Sequence, residues 1–233
     1  MAHEALKRKL IVGGKILVCE GHDDFTRGHI SVRVPGKPNL FYMKPHSVGF
    51  DEITPKNILT IDLDGKVVTG KARRHSEVFI HSEIFRARPD VQSVIHVHSP
   101  YSVALSGTGR QVMAYSQPGA LFAGDVGLYD DTIFLIRTPE MGARVAKALG
   151  PHRAVLLKNH GVVMTGGAIE DAVIGAIMLE NAAQVQLAIE ATGDALPEFP
   201  APDLAKLRDV LASHEQFAIN FDYLARRVKR RKI

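Results

Sequence analysis

The chain has 233 residues, of which 45% are hydrophobic and 23% charged, as in an ordinary folded domain. Its single cysteine, Cys19, excludes an internal disulfide and favours a reducing, cytoplasmic location. We expect no membrane span, because no apolar run is long enough, no secretion signal, and a single domain over residues 1–233.

The formal net charge is +4, and much of the excess lies in the last eight residues, 226–233. A terminal basic run without interleaved aromatic side chains is typical of a solvated tail, and no nucleic-acid-binding motif precedes it. We therefore expect neither nucleic acid nor a membrane as a partner.

Hydrophobic periodicity predicts helices alternating with short strands. In chain order the predicted elements are a helix over 6–17, strands over 30–34, 40–43 and 59–63, a hairpin into 67–68, a helix over 77–87 capped by Ser76, strands over 94–98 and 132–136, a helix over 138–150, a strand over 154–157 and helices over 168–192 and 203–214. Residues 194–233 are predicted to be a helical extension reached through a linker that contains Pro197, Pro200 and Pro202. This order predicts an α/β fold with a mixed sheet between helical layers.

Two histidines, His96 and His98, close a run of β-type residues. Side chains at i and i+2 of a strand point to the same side, so both imidazoles can face one point. Leu156 and Leu157 place His160 at the end of a second apolar strand. A third imidazole converging there would give a metal site with an open coordination position, whereas hydrogen-bonded strand histidines are the alternative.

Five segments together resemble the class II aldolase and adducin family. They follow the family's order between about residues 5 and 195, and they read Gly28-His29-Ile30-Ser31-Val32-Arg33, Ser76-Glu77, Arg88-Pro89-Asp90-Val91, Val94-Ile95-His96-Val97-His98-Ser99-Pro100 and Asn159-His160-Gly161-Val162-Val163. The resemblance implies a three-layer α/β/α sandwich around a central mixed, largely antiparallel sheet. It also implies homotetramers or larger homo-oligomers with sites at subunit interfaces.

The resemblance further implies a divalent metal on His96, His98 and His160, with Glu77 as a catalytic acid/base that can also bind the metal. Glu77 is predicted in the first turn of a helix, where the helix dipole keeps a carboxylate ionised; a simple capping role is the alternative. His81, one turn later, is expected either to orient Glu77 or to be an ordinary core histidine. Three imidazoles suit manganese, zinc or iron.

Three positions depart from the sugar-phosphate aldolases of the family, which hold the substrate phosphate there with small neutral side chains. Here they read His29, His46-Ser47 and His75-Ser76. Imidazoles leave less room for a phosphate, but they stack on a flat ring, donate to a carboxylate and move protons near neutral pH. We therefore predict a pocket for a planar aromatic acid, with His29 in catalysis and the other four residues in substrate binding.

A branch of the family decarboxylates hydroxylated aromatic or pyridine dicarboxylates, among them a pyridine dicarboxylate of vitamin B6 degradation, and the chain most resembles this branch. Loss of carbon dioxide ortho to a ring hydroxyl leaves a dienolate-like anion, and the metal stabilises its charge as it stabilises the enediolate of an aldolase. The resemblance thus implies a divalent-metal-dependent decarboxylase, a carbon–carbon lyase. It points to manganese, whereas the aldolases point to zinc.

Further residues are assigned by position. Arg73 or Arg74 is expected to bind a second substrate carboxylate, unless the pair is a solvated hairpin end. Tyr115 falls roughly where the aldolases place a catalytic tyrosine from a neighbouring subunit. Tyr223 lies in a C-terminal segment expected either to cover a site or simply to pack as a terminal helix.

Other function classes stay open. A class II aldolase would cleave a sugar phosphate or a hydroxy keto acid; the histidines at 29 and 75 disfavour only the phosphorylated substrate. A non-catalytic scaffold like the adducin heads has no need of an open metal site. An iron-dependent oxygenase of prenylated hydroxyphenyl acids also belongs to the family. Each enzyme class implies a small-molecule partner.

Overall fold

The computed structural model describes residues 2–193 and 201–231. Its centre is a sheet of eight strands in the order β4-β3-β2-β1-β5-β8-β7-β6. The strands are β1 (His29–Val34), β2 (Lys37–Met43), β3 (Leu59–Asp62), β4 (Val67–Thr69), β5 (Ser93–Val97), β6 (Val126–Tyr129), β7 (Ala154–Leu157) and β8 (Gly161–Gly166). Only β6 and β7 pair in parallel within these residues, so the predicted mixed, largely antiparallel sheet is confirmed.

Helices cover both faces of the sheet. They are α1 (Ala2–Cys19), α2 (Val78–Ala87), α3 (Pro100–Thr108), α4 (Gln117–Phe122), α5 (Pro139–Leu149), α6 (Ile169–Glu190), α7 (Ala201–Leu211) and α8 (His214–Arg231). One apolar cluster joins α2 and α5 to one face, and a second joins α1, α4, α6 and α8 to the other. The three-layer arrangement implied by the sequence is therefore confirmed.

Alternation along β1 and β5 determines which side chains reach the site. Ile30 and Ile95 enter the cluster beneath α1 and α6, whereas Val94 enters the cluster beneath α2. Since successive residues point to opposite faces, His29 and His96 lie on the face that α2 covers. The two histidines are also direct partners in the ladder between β1 and β5.

The strand predicted over 132–136 is wrong. Residues 130–137 form an irregular loop, and the strand lies earlier, at β6 (Val126–Tyr129). The loop carries Ile133 and Phe134 with 61% and 76% of their surface exposed, so its apolar residues are not those of a buried strand. In β6, Gly127 approaches Ala148 so closely that a Cβ would lie 2.0 Å from its carbonyl oxygen, which explains a glycine in that strand.

The sequence suggested a solvated tail at the basic C-terminal run. Residues 226–231, the part of this run that the structure describes, instead form the end of α8, although most of their basic side chains are exposed. Helix α8 buries Phe217, Phe221, Leu224 and Val228 on one side at helical spacing. The preceding helix, predicted over 203–214, ends at Leu211. Residues 194–200, which include Pro197 and Pro200, lie outside the described residues, whereas Pro202 lies within α7.

Helix α6 is long and apolar enough to cross a membrane by length and composition alone. It packs against α1, α3, α4 and α8 and against strands β5 and β8. These contacts are those of a core helix of a folded domain.

Candidate metal centre

Four side chains from three parts of the chain meet at one end of the sheet. His96 lies in β5, His98 directly follows it, His160 lies in the turn between β7 and β8, and Glu77 immediately precedes α2. One ligand atom from each lies within 4.8 Å of the others. We call these four residues the His–Glu cluster; the sequence-based expectation that they converge agrees with this geometry.

The turn that carries His160 is shaped by its neighbours. Asn159 has a φ of 58°, in the left-handed region. A Cβ on Gly161 would lie 2.6 Å from the carbonyl oxygen of Val97 and 2.9 Å from the rings of His96 and His98. Glycine is therefore required for the turn to approach β5.

The hydrogen bonds of the imidazoles leave nitrogens free to bind a metal. His96 Nδ1 donates to the carbonyl oxygen of Val162 at 3.1 Å, and His98 Nδ1 donates to Asp24 Oδ2 at 2.7 Å. In each neutral ring, Nε2 then carries no hydrogen and presents a lone pair. The Nε2 of His96 and both ring nitrogens of His160 are buried and have no hydrogen-bond partner among the described residues.

Unpartnered buried polar atoms are rare in folded proteins, and each needs an explanation. Burial lowers the pKa of His160 to about 4 and that of His96 well below its ordinary value, so both rings are neutral, as metal ligation requires. Three neutral imidazoles and a carboxylate fit a divalent transition metal. The Asp24 carboxylate is the kind of partner that fixes the orientation of a liganding histidine.

Glu77 differs from the predicted helix-start residue. It occupies the N-cap position of α2, so Ser76 is not the cap, and its carboxylate turns into the site. Oε1 accepts a hydrogen bond from the Ile136 N–H at 2.9 Å and lies 3.6 Å from His160 Nε2. In the metal-free protein, burial raises the pKa of Glu77 to about 7 and thus opposes the helix dipole, which was expected to keep this carboxylate ionised.

A cavity of about 690 Å³ opens beside the cluster. Its walls combine three cluster residues, further imidazoles, three arginines and an apolar rim, namely Asp24, Arg27, His46, Arg73, His75, Ser76, Glu77, His98, Pro100, Val103, Ile133, Leu135, Arg137, Asn159 and His160. The cavity can hold a small anionic molecule against the cluster.

The predicted substrate-binding residues divide into two groups. His46, His75 and Ser76 line the cavity, and the rings of the two histidines lie 5.2 Å apart. Ser47 lies outside the lining, with its Oγ 2.5 Å from His46 Nδ1. Arg74 is also outside, because it donates to the His75 carbonyl oxygen and lies over the ring of Phe79.

Three other predicted residues also lie outside the cavity lining of the described chain. His29 is completely buried, 4.9 Å from the ring of His96 between ring centres, and is walled off from the cavity. Tyr115 lies in the loop ahead of α4, and Tyr223 lies half exposed on α8. A role for either tyrosine in a neighbouring subunit stays a prediction.

Three further residues that were not predicted from the sequence line the cavity, namely Asp24, Arg27 and Arg137. Asp24 and Arg27 belong to the loop between α1 and β1, and Arg137 follows the segment 132–136 that was wrongly predicted as a strand. Nothing in the local sequence marks these three residues. These residues come together at the cavity because the loop before β1 and the loop after β6 both lie beside the end of β5.

The comparisons with known proteins agree with this geometry. The model of the class II aldolase and adducin N-terminal domain family matches residues 8–187. The chain is 36% identical over 193 residues to a 4-hydroxy-3-prenylphenylpyruvate oxygenase/4-hydroxy-3-prenylbenzoate synthase of Streptomyces roseochromogenus subsp. oscitans, covering 82% of this chain and 69% of that one. It is 31% identical over 221 residues to a 3,4-dihydroxyphthalate decarboxylase of Arthrobacter keyseri, covering 90% and 89%.

A solved structure shows the same architecture. The L-fuculose 1-phosphate aldolase from Glaciozyma antarctica PI12 superposes with a TM-score of 0.88 at 30% identity, covering 98% of this chain and 90% of that chain. A family model that spans most of the chain, two relatives above 30% identity and a matching fold lead to one conclusion. The chain belongs to the class II aldolase and adducin family.

Proposed function

We propose that the protein is a divalent-metal-dependent decarboxylase of a hydroxylated aromatic or pyridine dicarboxylate, which loses the carboxylate ortho to a ring hydroxyl. The observation that carries the proposal is the His–Glu cluster beside a cavity walled by His46, His75 and arginines. Similarity to the dihydroxyphthalate decarboxylase over about nine tenths of both chains supports the reaction type.

The cavity walls suit a planar dianion. Burial lowers the pKa of His75 to about 4, so this ring stays neutral and offers a flat face and a polar edge to an aromatic ring. Arg73 and Arg137 line the same cavity and supply the charge that a second carboxylate needs. Of the two arginines expected in this role we choose Arg73, because Arg74 lies over the ring of Phe79 and does not line the cavity.

His96, His98 and His160 would hold the metal, with Glu77 as a fourth ligand or as the acid/base next to it. A bound divalent metal supplies a Lewis acid for the negative charge that develops on the ring oxygen. The charges of Arg73 and Arg137 would bind the second carboxylate and orient the substrate so that the ring hydroxyl group and the departing ortho carboxylate face the His–Glu cluster.

Glu77 is proposed to protonate the ring carbon after carbon dioxide leaves. Its Oε1 is held by the Ile136 N–H, which leaves Oε2 to deliver the proton. In the metal-free protein, burial raises the pKa of Glu77 to about 7, so this carboxyl group can take up a proton more readily than an exposed glutamate does. A positioned acid of this kind contributes typically about 10²- to 10⁴-fold to a rate.

An aldolase acting on a sugar phosphate or a hydroxy keto acid is the second candidate, favoured by the match to the fuculose 1-phosphate aldolase structure. In an aldolase, a metal held by the same cluster would stabilise the negative charge of an enediolate. We propose manganese as the metal of the decarboxylase. Zinc would be the metal of an aldolase, and iron that of an oxygenase. We further propose a cytoplasmic homotetramer or larger homo-oligomer, in which Tyr115 and Tyr223 reach a neighbour's cavity.

The experiment compares two substrate classes on the manganese-loaded protein. Carbon dioxide release is measured from 3,4-dihydroxyphthalate and from a 3-hydroxypyridine-4,5-dicarboxylate, with phthalate as the control that lacks the hydroxyl group. L-fuculose 1-phosphate cleavage is measured in parallel. The proposal predicts carbon dioxide only from the ortho-hydroxy acids. Efficient aldol cleavage without carbon dioxide from any hydroxy acid would overturn it in favour of the aldolase.

A further inference from the structure

Lys44 is completely buried, an environment that lysine side chains rarely occupy. It directly follows β2, and its backbone N–H extends the sheet with a hydrogen bond to the Ile30 carbonyl oxygen. The strand pairing therefore does not depend on the side chain. Because burying an ammonium group is costly unless its N–H groups are bonded, the contacts of Lys44 Nζ need an explanation.

The Nζ of Lys44 donates to backbone carbonyl oxygens and not to a carboxylate. The acceptors are Thr26 at 3.0 Å, Pro45 at 3.4 Å and Val48. The nitrogen also lies 5.6 Å from the centre of the Phe50 ring, within the range of a cation–π contact. Three acceptors match the three N–H groups of the charged form. Burial lowers the pKa of Lys44 to about 8, which leaves the group mainly protonated at neutral pH.

The three acceptors belong to two loops that are separate in the chain, and both loops contribute side chains to the cavity. Residues 24–27, ahead of β1, supply Asp24 and Arg27 to the cavity lining, and residues 45–48, after β2, supply His46. We call residues 24–27 the first wall and residues 45–48 the second wall. The buried ammonium group is thus bonded to the backbone of both walls.

Each wall contains a residue whose backbone is strained. Phe25 has a φ of 51° and Ser47 a φ of 60°, in the left-handed region that side chains larger than glycine rarely adopt. Phe25 has 84% of its surface exposed, so packing of its side chain does not impose this conformation. The carbonyl groups of Thr26 and Val48, which Lys44 binds, directly follow the two strained residues. Strain of this kind persists only where the surroundings hold it, and the ammonium group supplies such a restraint.

Arg33 shows the contrasting case of a buried cation away from the cavity. Its guanidinium group also donates to backbone carbonyl oxygens, among them those of Phe85 and Arg88. These acceptors lie at the end of α2, and neither residue lines the cavity. Arg33 and Lys44 therefore make the same kind of contact, but only those of Lys44 hold segments that line the cavity.

We propose that Lys44 is a positioning residue for substrate binding, whose ammonium group fixes the first wall against the second. Arg27 and His46 thereby keep a fixed spacing where the substrate binds. The proposal rests on the function assigned above to this cavity. Lys44 itself does not line the cavity, so it acts through the two loops and without touching the substrate. Its loss weakens substrate binding more than it slows the chemical step.

Lys44→Met tests the proposal, because it keeps the length of the side chain and removes the charge and the donors. Arg33→Met is the matched control, since it also removes a buried cation bonded to carbonyl oxygens. At saturating manganese, Lys44→Met should raise KM for 3,4-dihydroxyphthalate about 10- to 100-fold, as misplaced binding groups do, with a smaller change in kcat. Arg33→Met should keep the KM of the wild type. If Lys44→Met does not fold, Lys44→Gln, which retains two N–H donors without the charge, takes its place.

Hydrogen exchange provides a second measurement that does not depend on activity. The Arg27 N–H donates to the Asp24 carbonyl oxygen at 3.0 Å, and the His46 N–H donates to the Arg73 carbonyl oxygen at 2.9 Å, so both walls contain a protected amide. Lys44→Met should speed exchange at both amides through local opening. Arg33→Met should leave both rates as in the wild type, although it lowers the stability of the whole domain.

The proposal is overturned if Lys44→Met raises KM no more than Arg33→Met does, or if exchange in the two walls keeps its wild-type rates. Failure of the proposed function is a different result, in which the wild type releases no carbon dioxide from any ortho-hydroxy acid. In that case the exchange rates still decide whether Lys44 fixes the two walls.

Discussion

Buried polar groups occur in two contrasting places on the same face of the sheet. Arg33, in β1, donates through its guanidinium group to the carbonyl oxygens of Phe85, Arg88, Val91 and Pro38. This Arg33 site joins the strand to the end of α2, and it uses all three guanidinium nitrogens. The His–Glu cluster lies at the opposite end of α2, and there the Nε2 of His96 and both ring nitrogens of His160 lack partners among the described residues.

The difference distinguishes structure from function. A buried polar group that is fully hydrogen-bonded stabilises the fold, and removing it leaves its partners unsatisfied. A buried group without partners costs free energy unless a ligand binds it, so it persists where function requires it. Mutations at the Arg33 site should therefore reduce stability, and mutations in the His–Glu cluster should reduce metal binding and activity.

The largest effect is expected from His160→Ala. The protein should lose its bound metal and its activity, whereas the free energy of unfolding of the metal-free protein should change by only about 1 kcal/mol, because no hydrogen bond of His160 side-chain nitrogens is lost. Elemental analysis and urea unfolding measure the two quantities. His152→Ala, at a partly exposed histidine, is the control. Full metal occupancy in the His160→Ala protein would show that His160 does not bind the metal.

Glu77→Gln should lower kcat about 10²- to 10⁴-fold, because the amide cannot transfer a proton, while metal stays bound to the histidines. Steady-state kinetics with metal analysis of the same sample tests this. Glu83→Gln is a matched control on the same helix, since Glu83 pairs with Arg86 on the side away from the site. Equal turnover of the Glu77 and Glu83 variants would reduce Glu77 to a structural residue.

Arg33→Met should lower the free energy of unfolding by about 2–4 kcal/mol, because it leaves buried carbonyl oxygens without donors. Its metal affinity should equal that of the wild type. Arg86→Met removes an arginine about half exposed in its ion pair with Asp64 and should cost less than about 1 kcal/mol. If Arg33→Met leaves the free energy of unfolding unchanged but weakens metal binding, the Arg33 site serves metal binding and not stability.

Asp24→Asn should weaken metal binding about 10- to 100-fold, because the neutral amide no longer orients and polarises His98. Competitive titration with a chelating dye measures the affinity. Asp23→Asn changes the exposed neighbouring carboxylate and should leave the affinity unaltered. Equal affinities in the two variants would show that the contact between Asp24 and His98 does not matter for the metal.

Strand alternation is a local signal, and it predicted that His96 and His98 face one point. The resemblance to the family, and not the local pattern, implied that His160 joins them. From the residues alone, the sequence left hydrogen-bonded strand histidines open as the alternative. It did not predict strand β8, whose pairing with β5 brings His160 to His96. Pairing between distant strands leaves no mark in the local pattern.

Two further errors in the structure predicted from the sequence have the same cause. The run of apolar residues from Ile133 to Ile136 resembles a strand, yet only Ile136 is buried, and its N–H binds Glu77. The basic charges that end α8 concealed the apolar spacing of Phe217 and Phe221, which pack in the core. In both segments tertiary contacts, which composition does not reveal, decide the structure.

X-ray absorption spectroscopy of the metal-loaded protein is the sharpest test of the His–Glu cluster as a metal site, because it counts the imidazole ligands of the metal. We expect one tightly bound metal with three imidazole nitrogens, at about 2.0–2.1 Å if the metal is zinc, and with oxygen completing the shell. A spectrum with one imidazole or none, or a protein that binds no divalent metal, would contradict it.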